Sequence, residues 1–326
     1  MRFDRLGEFE LIEQHFAPLA AEGSFELKDD AALLRVPDSK ELVTTHDTIL
    51  EGVHFLPRDP VATIAQKALR VNLSDLIAKG ATPLGYTLSL GVPDRWGNPE
   101  FGQFAIGLAR DGARYGVSLL GGDTYRSPER LCVGVSLLGS VEEGRYVSRL
   151  TARAGDVIAV TGTIGNGALG LDVAQGLISR TEADAEWLRQ CYQLPDPELQ
   201  HIDIVSRFAT ASMDVSDGLL GDLAKLCRAS GVSASVERNN VPLSDPVASA
   251  VGERPDLWER VLGGGDDYEV LFTMAKADVE ACQEAASSSG SQVSVIGKIH
   301  AGNAGDIALT VEGYAVVQPA QAYRHF

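Results

Sequence analysis

Cysteine is scarce and scattered in this chain. Cys132, Cys191, Cys227 and Cys282 stand far apart, with no C-x-x-C between them. That spacing excludes the usual zinc sites and gives no disulfide framework, so the thiols read as reduced side chains of a cytoplasmic protein. Long apolar runs are missing as well, and neither a signal peptide nor a membrane span is expected. Positive charge is in deficit: 28 Lys and Arg face 45 Asp and Glu, a formal net charge of −17. A surface this acidic argues against nucleic acid or an anionic membrane as partner. No G-x-x-x-x-G-K-[ST] is present, since Gly297-Lys298 has no glycine five positions earlier and is followed by Ile299. This excludes a P-loop kinase. No Ser-His-Asp arrangement, low-complexity segment or alignable repeat is evident.

The 326 residues suffice for about two domains at ~150 residues each. What the chain has in abundance is aspartate at the edges of apolar segments. Five stretches share this pattern: Lys28-Asp29-Asp30, Thr44-Thr45-His46-Asp47-Thr48, Asn72-Leu73-Ser74-Asp75, Gly121-Gly122-Asp123-Thr124 and Met213-Asp214-Val215-Ser216-Asp217-Gly218. Any one of them also fits an ordinary turn or helix cap. Together they suggest a site for hard divalent cations, whose preferred ligands are oxygens.

Residues 6–17 space their apolar groups like a short amphipathic helix. Ala31–Val36 and Glu41–Thr45 read as two strands joined by a turn at 37–40, a hairpin that would bring Asp30 close to Asp47. Asp59-Pro60 reads as a helix start and Gly80 as its stop, with Asn72, Asp75 and Lys79 as a polar strip beside an apolar face. Tyr86–Gly91 reads as a strand, and Asn98-Pro99 opens a helix ending near Gly116. Val117–Leu120 reads as a strand that stops at Gly121-Gly122-Asp123-Thr124, where glycines would let backbone N–H groups approach a phosphate. Leu131–Leu138 completes a first unit of about five strands and two long helices. Gly165, Gly167 and Gly170 match G-x-G-x-x-G, but the second strand and distal acid of a dinucleotide fold do not follow. The match reads as a tight strand-to-helix turn. Ser212–Val215 reads as a strand leading to a helix over 218–230, with Asp217 at the helix N-terminus, a position that caps a helix or attracts phosphate. Gly263-Gly264-Gly265-Asp266-Asp267-Tyr268-Glu269 reads as a tightly packed loop at a cleft.

The ordered set Asp-Asp-Ala-Ala (29–32), His-Asp-Thr…Glu-Gly-Val-His-Phe (46–55), Asn-Leu-Ser-Asp-Leu (72–76), Gly-Gly-Asp-Thr (121–124), Val-Thr-Gly-Thr-Ile-Gly (160–165), Asp-Val-Ser-Asp-Gly-Leu (214–219) and Gly-Asp-Asp-Tyr-Glu (265–269) resembles the thiamine-monophosphate kinase family. The resemblance runs in order through the chain to the terminal Tyr323-Arg324-His325-Phe326. It implies a two-domain α/β (α+β) fold like that of AIR synthetase. Residues 1–145 would bind ATP and magnesium, and their mixed sheet would pair across a homodimer into a β-barrel. Residues 146–326 would form a C-terminal α/β domain, and nucleotide would lie in a cleft between domains and subunits. The implied activity is ATP-dependent phosphorylation of thiamine monophosphate to thiamine diphosphate. By motif position, Asp30, Thr45, His46, Asp47, Asp75, Asp123, Asp214 and Asp217 would hold several magnesium ions. Tyr115, Gly122, Asp123, Arg149 and Ser216 would contact ATP, and His54, Asp266 and Tyr323 the thiamine phosphate. Lys28 stands where the family has Gly, His46 where it has Thr or Ser, and Asp266 where it has Glu. Two alternatives remain open at this level: another ATP-using synthetase of the same fold, and a non-catalytic paralogue that binds nucleotide or thiamine phosphate.

Overall fold

The structure is a computed structural model, and it describes residues 6–316. The chain divides into two compact units between Gly144 and Arg145, with Ile77–Gly80 counted in the second.

The first unit opens with a short helix, α1 (Glu8–Leu11), which passes into a π-helical turn and two 3₁₀ turns that end at Leu27. Residues 32–37 have no regular structure. The expected hairpin is therefore absent, and one long strand, β1 (Lys40–Leu50), takes its place. Helix α2 (Val61–Ala78) follows, then β2 (Thr82–Val92), α3 (Asn98–Tyr115), β3 (Ser118–Arg126) and β4 (Cys132–Glu142). The sheet has four strands in the order β1-β4-β2-β3, not five. β4 runs antiparallel to both neighbours, and β2 pairs with β3 in parallel.

The helices form where local signals place them. Pro60 precedes α2, and its carbonyl accepts from the Ile64 amide at 3.1 Å. Gly80 closes the helix in the left-handed conformation at φ +68, where a side chain would be strained. In α3 the Glu100 carboxylate reaches back to the Gly97 amide at 2.8 Å, and Gly116 ends the helix at φ +67. Ala65, Ala68, Leu69, Leu73, Leu76 and Ile77 of α2 are all buried. Arg70 and Gln66 of α2 both bond the buried Asp111 of α3, Arg70 through Nε at 2.6 Å and Gln66 at 2.7 Å. β1 is open on both faces, with Leu42 55% exposed.

The second unit contains β5 (Val157–Thr161), α4 (Asn166–Ala174), α5 (Glu182–Gln193), α6 (His201–Phe208), β6 (Ala211–Asp214), α7 (Leu219–Ser230), β7 (Ser233–Glu237), α8 (Asp245–Glu253), α9 (Leu257–Gly263), β8 (Val270–Met274), α10 (Val279–Ser288), β9 (Val293–His300), β10 (Ile307–Val311) and β11 (Tyr314–Ala315). Its seven-stranded sheet has the order β11-β10-β7-β9-β5-β8-β6. Among the described residues of this sheet only β10–β7 is a parallel pair. Dinucleotide-binding sheets are mostly parallel, so the glycine match after β5 is a turn in a different fold. The central strands β5 and β8 are buried throughout, and their Ile158, Val160 and Leu271 pack with Leu219, Leu223 and Leu226 of α7. No described helix is long and apolar enough to cross a membrane.

Candidate functional site

Each unit gathers its own set of acidic and glycine residues. In the first unit, the His46-Asp47-Thr48 stretch lies inside β1, not in a loop beyond it. Pairing with β4 runs without a break from Lys40 opposite Glu142 to Leu50 opposite Cys132. Strand alternation then puts Thr45 and Asp47 on one face and His46 and Thr48 on the other. Thr45 Oγ1 donates to the Asp75 carboxylate on α2, and the Asp47 amide donates to Asn72 Oδ1 at 3.0 Å. The polar strip on α2 thus meets β1, and Asn72 is fully buried rather than a solvated flank. The His46 ring turns elsewhere, with Nδ1 2.8 Å from Ser136 Oγ and Nε2 3.3 Å from Thr48 Oγ1.

Gly121-Gly122-Asp123-Thr124 also lies within a strand. β3 continues past it to Arg126, with an irregularity at Leu120 that lets Gly121 face Thr87. An added Cβ on Gly122 would stand 2.1 Å from the Leu88 carbonyl oxygen. Only glycine lets β3 approach β2 this closely. Beside it is a cavity of about 250 Å³ with apolar walls that include Ile12, Phe16, Leu88 and Leu120. Asp29, Asp30, Gly122 and Asp123 also line it, so the structure brings Asp30 to Asp123. Tyr115 does not line this cavity. It is buried, with the Arg70 and Arg114 guanidinium groups 5.7 and 5.0 Å from its ring centre. His54 sits in a tight turn after β1, where Gly52 takes φ +78. His54 Nδ1 accepts from the Leu50 amide at 3.0 Å, and the His54 carbonyl accepts from Lys67 Nζ at 3.0 Å. A neutral His54 therefore carries its proton on Nε2.

In the second unit Asp214 ends β6 and is buried. The turn after it is held by Asp222, which lies in the first turn of α7 and is fully buried. Asp222 Oδ2 accepts the Ser216 and Asp217 amides at 3.0 and 2.9 Å. Asp217 does not cap α7: its N-cap is Gly218, which makes no side-chain cap bond, and Asp222 instead holds the turn that precedes the helix. The Asp217 carboxylate is bound by Lys225 Nζ at 2.5 Å, which also reaches Asp222 at 2.7 Å. Burial raises the Asp222 pKa, and Lys225 opposes the rise.

The glycine-rich loop after α9 is laced to the same turn. The Asp266 amide donates to the Ser216 carbonyl at 3.0 Å, and the Tyr268 amide donates to the Val215 carbonyl at 2.8 Å. The Val215 amide returns a bond to the Glu269 carbonyl at 2.8 Å. Asp266, at φ +70, is thereby joined to Asp214, Ser216 and Asp217. Asp267 turns inward, and burial pushes its carboxyl up to about 7. Glu269 accepts from Thr161 Oγ1 at 2.6 Å, and burial pushes it up to about 8. Arg149 is exposed, and its carbonyl accepts from Ser230 Oγ at 2.9 Å. Tyr323 lies outside the described residues. Among the described residues no three His, Cys, Asp or Glu side chains converge on a single metal-sized point.

Sequence reasoning missed Asp222, Asp267 and Glu269. The signal for Asp267 was on view: a second acid after three glycines, with no reason to face water.

Known proteins place this geometry in context. The sequence models of the AIR synthase related protein N-terminal and C-terminal domains match residues 28–141 and 153–309. A thiamine-monophosphate kinase of Salmonella typhimurium is 36% identical over 325 residues, 98% of both chains. Another, of Caulobacter vibrioides, is 38% identical over 296 residues, 89% of this chain and 83% of that one. The chain belongs to the thiamine-monophosphate kinase family. Among solved structures, the thiamine-monophosphate kinase of Stenotrophomonas maltophilia superposes with a TM-score of 0.80 at 36% identity, covering 89% of this chain and 91% of that one. An AaThiL structure complexed with AMPPCP and TMP superposes with a TM-score of 0.77 at 31% identity, covering 98% and 97%. Thiamine-monophosphate kinases thus share with this chain both its fold and nearly its full length.

Proposed function

We propose that the chain transfers the terminal phosphoryl group of ATP to thiamine monophosphate, giving thiamine diphosphate and ADP. One observation carries the reading. The acid-lined cavity beside Gly122 and the Ser216–Asp266 cluster are built in a chain whose relatives are thiamine-monophosphate kinases, one of them described with AMPPCP and TMP bound.

The acceptor is a phosphate monoester, whose second pKa of ~6 leaves it mostly dianionic at neutral pH. It needs no general base, which agrees with a site rich in carboxylates and without a Ser-His-Asp arrangement. The protein's task is to position two anions in line and to limit their repulsion. Gly122, Asp123, Arg149 and Ser216 take the nucleotide, with Tyr115 at the end of α3. His54 donates from Nε2 to the acceptor phosphate. Asp266 and Tyr323 face the cationic thiazolium, for which a carboxylate and an aromatic ring are suited partners.

Magnesium fits the donors present. It is bound by one or two carboxylates together with substrate phosphates and water, not by a closed protein cage, and Asp29, Asp30 and Asp123 open onto one cavity. Asp30, Thr45, Asp47, Asp75 and Asp123 would hold it in the first unit, with His46 through its backbone, and Asp214 and Asp217 in the second. Such ions supply neutralisation of the charge that builds up on the transferred phosphoryl group. The open edge and exposed faces of β1 support a homodimer in which two first-unit sheets pair into a barrel. The reading is tested by Asp47→Asn. Turnover lost with an unchanged denaturation midpoint is expected, and turnover near that of the native protein counts against the assignment.

A further inference from the structure

Asp267 has no role in the reaction proposed above, yet both oxygens of its carboxylate are engaged. Its two oxygens take different backbone amides of the turn between β5 and α4: Gly165 N at 2.8 Å on Oδ2 and Gly167 N at 3.0 Å on Oδ1. Such a turn at a helix start is a concave set of N–H donors that suits an anion. Here the chain fills it with its own carboxylate, so the turn offers nothing to a nucleotide phosphate.

We propose that Asp267 is the positioning residue for Asp266, locking the Gly264–Glu269 loop to the Gly165–Gly167 turn so that Asp266 meets the acceptor substrate. This rests on the reading above that Asp266 contacts thiamine monophosphate. Three observations support it. Asp266 is held at φ +70, a left-handed conformation that an aspartate keeps only when its surroundings impose it. The Asp266 carbonyl packs directly on Gly167, where an added Cβ would stand 2.1 Å from its oxygen. The amides on either side, of Asp266 and Tyr268, are fixed to Ser216 and Val215, and Asp267 between them ties the loop to a different element, the Gly165–Gly167 turn. Asp222 fixes Ser216 and Asp217 independently through their amides. The nucleotide residues therefore keep their own support when Asp267 is altered.

Asp267→Asn retains one acceptor oxygen and sets an NH₂ group against the second amide. Losing one charge-assisted bond and gaining a donor–donor contact corresponds to about tenfold or more in binding. The experiment measures steady-state kinetics with thiamine monophosphate and ATP varied in turn, on the native protein, Asp267→Asn and Asp266→Ala. Expected is a rise of about tenfold or more in KM for thiamine monophosphate in both variants. In Asp267→Asn, KM for ATP and kcat stay within about threefold. A purely structural Asp267 would lower the denaturation midpoint without this selective rise. If Asp266→Ala raises KM and a folded Asp267→Asn does not, the inference is overturned and the reading of Asp266 stands. If Asp266→Ala leaves KM unchanged, both fall. Gly167→Ala displaces the same Asp266 carbonyl while leaving the Asp267 carboxylate in place. Should Asp267→Asn not fold, the same KM rise is expected there, and an unchanged KM in folded Gly167→Ala overturns the inference.

Discussion

Asp222 offers a test of how the second unit holds its functional turn. Its carboxylate is fully buried and divides its bonds cleanly. Oδ2 takes both the Ser216 and Asp217 amides, and Oδ1 takes Lys225 Nζ. Asp222→Asn can keep its oxygen toward both amides, so it loses only the Lys225 contact. Lys225 retains Asp217 and its side chain is 36% exposed, which screens the loss to about 1 kcal/mol. Asp222→Ala also leaves two half-buried amides without their acceptor, each costing about 1–3 kcal/mol. The expected destabilisation is then about 3–5 kcal/mol, the range found when one partner of a buried, hydrogen-bonded charge is removed. Urea denaturation gives both values, and calorimetric titration with ATP reports whether Ser216 and Asp217 stay in place. The alanine variant should lose ATP affinity well beyond the asparagine variant. Equal stability losses in the two, or less than about 1 kcal/mol for alanine, would refute the account of Asp222 as the support of this turn.

Other predictions follow from the same geometry. Gly122→Ala sets a methyl group 2.1 Å from the Leu88 carbonyl and should move the cavity wall enough to cut turnover about a hundredfold; activity within about threefold of native would contradict the close approach. Asp267 and Glu269 have folded pKa values pushed up to about 7 and about 8, above the unfolded carboxyl range near ~4. The stability they contribute is therefore full below ~4 and is lost as pH rises through 7 to 8. His201, lowered to about 4 by burial, opposes this only below its unfolded value of ~6.5. The denaturation midpoint should thus fall between about pH 6.5 and pH 8 and level off above it, and a flat profile between those values would contradict the upward shift of these acids.

How much of this was legible in the chain depends on whether the signal was local. α2 and α3 announce themselves through Pro60, Pro99, Gly80 and Gly116, because caps and turns act on neighbouring backbone. His46-Asp47-Thr48 reads as lying beyond a strand that stops at Thr45. It is strand because β4, almost a hundred residues away, supplies eleven partners. Gly121-Gly122 reads as a strand end for a similar reason, while the requirement for glycine comes from the Leu88 carbonyl on β2. The expected strand over 31–36 found no partner and is irregular. Candidate site residues of each unit could be proposed from ordered motifs. The carboxylates that hold them in place, Asp222 and Asp267, could not. Their role is defined by backbone amides they meet only in three dimensions.

The central claim is most directly tested by incubating the protein with ATP, magnesium and thiamine monophosphate and separating the products. Thiamine diphosphate and ADP in equal amounts, both abolished by a chelator, is the predicted result. ADP formed with no thiamine diphosphate, or no ADP at all with both substrates bound, would contradict it.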